Sequence, residues 1–334
     1  MSRLRLRHTV ALAVAVLALA VPVAVAAFVA TISNTGNSFQ AAPIFPGAIK
    51  MATGTYVGNG VDGRAIAVGF QPDFVIVKST AAREAVARTS TMAGDASKPL
   101  GTATAFAADY IQSLTGTGFT VGTNNRVNVA TDTYHWVAFK ANTQAMRVGN
   151  YTGNGANRSF SGFGFSPEAV IVLGNNAARG VARMSGMTRS FGFDASTGTA
   201  TAVTSLDADG FSAGTAAEAN ANTVGYHYVA FNDVANSIDI TSYVGNNTDN
   251  RAIATVGFQP AYTLIRANDT TTGRSANARP SSLAGDNTLL FTATAVGANR
   301  IQALQANGFQ LGTATDINAN AVTYHYLSVR SSAP

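Results

Sequence analysis

Tyr134-His135-Trp136-Val137-Ala138-Phe139 decides the fold, because it occurs three times: again as Tyr226-His227-Tyr228-Val229-Ala230-Phe231, and again as Tyr324-His325-Tyr326-Leu327-Ser328-Val329. Each copy is short, uncharged and rich in aromatic and β-branched residues, which is the signature of a buried strand rather than an amphipathic helix. A strand that returns 92 and then 98 residues later marks a repeated folding unit.

Other motifs keep the same period. Upstream, Gly69-Phe70-Gln71-Pro72 recurs as Gly164-Phe165-Ser166-Pro167 and Gly257-Phe258-Gln259-Pro260. Each copy opens on Tyr-x-Gly-Asn, at Tyr56, Tyr151 and Tyr243, with an arginine a few residues on, and closes in on a Gly-Phe-x-x-Gly segment starting at Gly118, Gly210 and Gly308. The motifs divide the chain into β-repeats over 53–147, 148–239 and 240–334, preceded by an N-terminal segment over 27–52. Joints this short predict packed neighbours rather than beads on a string.

Turn residues at intervals of roughly 8 to 12 predict six to eight strands per copy, and no stretch sustains a helical period beside capping signals. The fold class that follows is all-β: three tandem antiparallel β-sandwich, jelly-roll-like repeats of about 93 residues. Proline in Gly-Phe-x-Pro fixes φ and donates no hydrogen bond, so it suits a strand start. The run behind it (Val170-Ile171-Val172-Leu173 in copy two) reads as a central strand buried on both faces. In the Tyr-His-aromatic strand, alternation sets His325 with Leu327 and Val329, and Tyr324 and Tyr326 with Ser328 and Arg330. The histidines are therefore expected in the core, and the aromatic pairs on a wetter face.

The chain has 334 residues, no cysteine, 32 glycines and only 12% charged side chains. Thiolate nucleophiles, thiolate metal sites and disulfides are excluded by composition. Of the formal charge of +5, Arg3, Arg5 and Arg7 carry three units, and the remaining +2 is too scattered for a nucleic-acid footprint. Those arginines precede an apolar run from Thr9 to Ala30, which predicts Sec-type export, with residues 1–26 as signal peptide and Ala24-Val25-Ala26 as the cleavage site. An uncleaved anchor is the other reading, and only then would a membrane be a partner. Either way the protein is expected to be secreted or held at the cell surface.

Catalytic patterns are missing. No Gly-x-Ser-x-Gly elbow occurs, and no acid holds one place in all three copies, since Asp73 becomes Glu168 and then Ala261. Asp207-Ala208-Asp209-Gly210 begins like a calcium loop but lacks its tail and its counterparts, and reads as a turn. The expectation is a protein that is not an enzyme, with no cofactor and no metal. His135, His227 and His325 could meet on a metal only if the copies surround a pseudo-threefold axis; otherwise they are buried neutral imidazoles. Two binding candidates remain. The aromatic pairs Tyr134 with Trp136, Tyr226 with Tyr228, and Tyr324 with Tyr326 would stack on a sugar or a protein, unless a neighbouring copy covers them. The loops Asn59 to Arg64, Asn154 to Arg158 and Asn246 to Arg251 would hold an acidic group, unless each arginine pins its own turn.

Modules that read Tyr-x-Gly-Asn, Gly-Phe-x-Pro, Gly-Phe-x-x-Gly and Tyr-x-x-Val-Ala-Phe resemble the repeated β-modules of bacteriophage tail-fibre and tail structural proteins, over residues 54–330. The resemblance implies adhesion or scaffolding, with no catalytic set to carry over. An export leader is a departure from a tail protein, and it favours a bacterial surface protein built from the same module. The stretch Phe28 to Phe39 resembles the mature start of camelysin-type secreted filament and matrix proteins, which implies an N-terminal strand that completes a neighbour's sheet. The expected function is an adhesin-like or structural surface element with a surface glycan or protein as partner. The alternatives are a self-assembling filament or matrix subunit and, third, a glycan-active enzyme with a cleft between copies.

Overall fold

The computed structural model describes residues 28–33, 36–41, 48–270 and 272–332, with side chains from residue 48 onward. The expected leader over 1–26 lies outside the described residues. The described residues fall into two units, one that holds residues 28–41 and one that holds residues 48–332. In the first, β1 (Phe28–Ser33) and β2 (Gly36–Ala41) pair antiparallel as a two-stranded hairpin.

The second unit holds the three repeats. In the first repeat the strands are β3 (Lys50–Val57), β4 (Arg64–Ala67), β5 (Phe74–Ser79), β6 (Val86–Thr89), β7 (Lys98–Pro99), β8 (Ile111–Thr115), β9 (Gly118–Val121) and β10 (Thr133–Lys140). They form a five-stranded antiparallel sheet in the order β3-β10-β5-β6-β7 and a three-stranded sheet in the order β4-β9-β8. The same eight strands recur as β11 to β18 between Met146 and Phe231, and as β19 to β26 between Ile238 and Val329, in the same two sheets. Each repeat is a sandwich open at its edges, not a closed barrel. One short helix, α1 (Thr315–Asn318), interrupts the third repeat. First strands begin at Lys50, Met146 and Ile238, two or three residues before the boundaries that the motifs suggest.

β5 starts two residues after Pro72, is the middle strand of its sheet, and is buried along its whole length. Both faces of the five-stranded sheet are covered, and by different partners. One face carries Val75, Val77, Tyr134, Trp136 and Ala138, which close on Ile66, Phe119 and Val121 of the three-stranded sheet. The other carries Phe74, Ile76, Val137 and Phe139, which join Ile171, Val229 and Phe231 of the second repeat and Tyr262, Leu264 and Leu327 of the third in one shared core. Phe139 meets Phe231 at 5.5 Å and Tyr262 at 6.1 Å between ring centroids, so three repeats touch at one side chain.

Contacts between repeats run in a ring. His135 of repeat one faces Ser282 of repeat three, His227 of repeat two faces Thr91 of repeat one, and His325 of repeat three lies against Gly186 of repeat two. Ser282, Thr91 and Gly186 hold the same place, two residues beyond the fourth strand of each repeat. Ser332 Oγ donates to the carbonyl of Met51 at 3.0 Å, joining the end of the third repeat to the start of the first. The repeats therefore surround a pseudo-threefold axis as one body.

Candidate functional site

The motifs read from the sequence assemble into one constellation per repeat. Tyr56 and Tyr134 are opposite each other on neighbouring strands, and their rings stack at 5.2 Å. Tyr151 with Tyr226 (5.2 Å) and Tyr243 with Tyr324 (5.4 Å) repeat the arrangement. The guanidinium groups of Arg64, Arg158 and Arg251 cover the outer ring at 5.1, 5.5 and 5.4 Å. Each arginine also donates to the end of its own first strand: Arg64 to the carbonyl of Val57, Arg158 to Thr152 at 2.8 Å, Arg251 to Val244 at 2.6 Å. The arginines thus pin their own turns. Asn59, Asn154 and Asn246 use their side-chain oxygens on the backbone N–H two residues on, at 3.0 Å in every copy, as turn formers do. A side chain on Gly58 would come within 1.9 Å of the Val129 carbonyl, and one on Gly153 or Gly245 within 2.1 Å of the Ala221 or Ala319 carbonyl, so Tyr-x-Gly-Asn needs its glycine for backbone approach.

The aromatic pairs are not on a wet face. Tyr134, Tyr226, Tyr324 and Tyr326 are 0% exposed, Trp136 7% and Tyr228 8%, all inside their own sandwich, which leaves no ring for a sugar to stack on. The polar residue that suggested water on this face, Ser328, is buried and shares a hydrogen bond of 2.9 Å with Thr263 across the strands. A hydroxyl pair satisfied inside a core looks like a surface residue in sequence. The histidines do point away from that face, but toward the next repeat. His135 Nδ1 and Ser282 Oγ are 3.0 Å apart, and His227 Nδ1 and Thr91 Oγ 2.7 Å. Burial lowers both imidazoles to about 4, helped by Arg279 and Arg88 of the neighbouring repeat, and burial lowers His325 as well. Among the described residues no three His, Asp or Glu side chains gather as a metal site, and the three imidazoles engage three different loops. Asp207 accepts from Ser205 and Ser212, both at 2.7 Å, and Asp209 accepts from the backbone N–H of Gly162 and Gly164, as turn and loop anchors do.

Two sets of residues escape a motif reading. Asn128, Asn220 and Asn318 are fully buried six residues before each Tyr-His pair. Each accepts from the Asn of Tyr-x-Gly-Asn (2.9 to 3.1 Å) and donates to Gly122, Gly214 or Gly312 (2.8 to 2.9 Å), locking the two loops together. Their constant spacing is visible in the sequence. The second set is one buried basic side chain per boundary between repeats. Lys78 donates to the carbonyls of Ser79 (2.8 Å) and Ala81 (3.1 Å) in repeat one and of Thr294 (3.0 Å) in repeat three. Arg266 of repeat three reaches its own Ala267 and, in repeat two, Gly192 (2.8 Å), Asp194 and Ser196 (2.7 Å). Lys98 of repeat one reaches its own Thr104 and, in repeat two, Gly174 (2.8 Å), Asn176 (3.1 Å) and Ala178 (2.7 Å). Burial lowers Lys78 to about 7, Lys98 to about 8 and Arg266 to about 10.

Comparison with known proteins gives one match: residues 50–148 fit the model of a family described as a domain of unknown function (DUF7483). The matched span is the first repeat, from the first residue of β3 into the first strand of the next copy. No curated protein and no solved structure matches the chain.

Proposed function

We propose that this chain is an exported surface protein without enzymatic activity, whose three β-modules form one rigid adhesive or scaffolding head. The observation that carries the reading is how the repeated residues are used. The tyrosines, arginines and asparagines common to all copies hold each sandwich, and the histidines face the ring, so the shared residues build the frame and leave recognition to the exposed loops. A rigid frame that presents variable loops suits recognition. The likeness to tail-fibre modules and the basic-apolar N-terminus read from the sequence support the same assignment. Fluorescently labelled protein should be retained on intact bacterial cells or isolated wall material, and should leave a panel of glycans and peptides intact. Turnover of a panel member, abolished by substitution of one acidic side chain, would overturn it.

One observation favours a second reading, a filament or matrix subunit. β1 and β2 pair only with each other among the described residues, and a lone hairpin with two open edges is marginal by itself and a template for another chain. Protein starting at Ala27 would then form filaments in negative-stain microscopy, and protein starting at Gly47 would not. The cut belongs at Gly47 because Ile49 and Met51 are buried in the shared core.

A further inference from the structure

The three repeats serve as one another's controls, and at one place the second departs from its sisters. In repeat one, Glu84 and Arg126 form an ion pair of 2.9 Å, and Tyr110 extends beside it, its hydroxyl accepting from Arg126 Nη1 at 2.8 Å. In repeat three the residue at the place of Tyr110 is Arg300, which pairs with Asp316 at 3.4 Å. Repeat two has the charges exchanged, Arg179 for Glu84 and Glu218 for Arg126, and has Ala202 in place of the long side chain. No side chain from Ala202 can reach across. Arg179 instead binds Asp194 at 2.5 Å, and Glu218 accepts from Thr199 Oγ1 at 3.2 Å. A cleft of about 360 Å³ lies between them, walled by Arg179, Glu218 and the Ala195–Thr199 loop.

We propose that this cleft binds a neutral saccharide through a pair of adjacent hydroxyl groups; the proposal rests on the adhesive reading above and names its ligand. A hydroxyl both donates and accepts, so neighbouring hydroxyls meet a carboxylate on one wall and a guanidinium on the other. Arg179 is paired with Asp194, and Arg266, which holds the loop from behind through Gly192, Asp194 and Ser196, offsets Glu218, so the site has no net charge to favour an ionic ligand. The loop adds Ser196, Thr197 and Thr199 to the wall, with Thr199 Oγ1 holding Glu218 in place. At about 360 Å³ the space suits one or two sugar rings rather than a polymer lying across the surface.

The test is saturation-transfer NMR on the full chain with methyl glycosides of glucose, galactose, mannose and N-acetylglucosamine, with glycine betaine and lysine as zwitterionic controls. At least one glycoside is expected to bind, with affinity falling tenfold or more in Glu218→Gln. Signal should be lost in Ala202→Tyr, which restores the side chain of repeat one, and in Thr197→Trp, which fills the cleft from its exposed rim and does not disturb the core. Thermal melting would establish that the variants are folded. Binding unchanged in folded Thr197→Trp, or binding of the zwitterions in place of sugars, would overturn the proposal. Wild-type protein retained on cells but silent toward every glycoside would overturn the cleft and leave the adhesive role standing.

Discussion

Two of the boundaries between repeats differ from the third in the side from which the buried basic group arrives. Lys78 and Arg266 occupy the same position of the third strand in repeats one and three, where repeat two has Leu173. Lys98 occupies the fifth strand of repeat one, where the sister repeats have Phe191 and Leu289. At each boundary a basic side chain therefore meets a strand that has an apolar residue at the matching place: Lys78 near Leu289, Arg266 over Phe191 at 4.9 Å, and Lys98 bonded to the carbonyl of Gly174, the residue after Leu173. The carbonyls that receive it are the same. Ser79, Gly174 and Ala267 correspond, and each accepts from the basic group of its own boundary. The carbonyl cage is the fixed part of the boundary, and either neighbour can supply the donor.

The largest effect should come from breaking that rule. Leu173→Lys would place a second buried amine beside Lys98 with no carboxylate to pair it, a loss of about 3–5 kcal/mol, read by denaturant unfolding. Acid should act next. His135 and His227 titrate at about 4 when folded against 6.5 unfolded, so the unfolded chain binds more protons between those values. Stability is accordingly full above pH 6.5 and falls as pH drops toward 4, by about 2–3 kcal/mol for the well-buried His135. Lys78 and Lys98 have the same sign in a higher window: stability should climb from about pH 7 and 8 toward 10.5. The boundary held by Arg266 is lowered only to about 10, so Lys78→Arg and Lys98→Arg together should flatten the Tm rise between pH 7 and 10. A rise that persists in that variant would place it elsewhere. Within one sandwich the effects are smaller. Tyr226→Phe removes a hydroxyl bonded to Ala217 (2.7 Å) and Ala221 (2.8 Å) and should cost about 1–2 kcal/mol. Arg158→Ala, at the exposed end of the same stack, should cost less than about 1 kcal/mol, and a larger loss would mean that its bond to the Thr152 carbonyl outweighs the ring contact.

The same contrast explains what the sequence makes legible. Everything inside a repeat obeys a period of about 93 residues, so the all-β class, the strand after Gly-Phe-x-Pro and its central place are readable from Phe74 or Val170 alone. The orientation of the Tyr-His strand is only half readable. Alternation separates His325 from Tyr324, but Ser328 resembles a solvent residue while bonding Thr263 inside the core. The ring is the least legible feature. Lys78 and Thr294, or His135 and Ser282, lie in different repeats and change identity from copy to copy, so a comparison that looks for sameness passes over them. The exchange of Glu84 and Arg126 for Arg179 and Glu218 is hidden in the same way, because only three-dimensional neighbours make a charge swap visible.

The most direct test of the account is a double-mutant cycle at the boundary of repeats one and two. Lys98→Leu alone strips the donor from the carbonyls of Gly174, Asn176 and Thr104 and should cost about 2–4 kcal/mol, and Leu173→Lys alone should cost more. Together they rebuild the arrangement of the Lys78 boundary, and stability should return to within about 1 kcal/mol of the wild type. Additive losses in the double mutant would contradict a common carbonyl cage that either neighbour can fill.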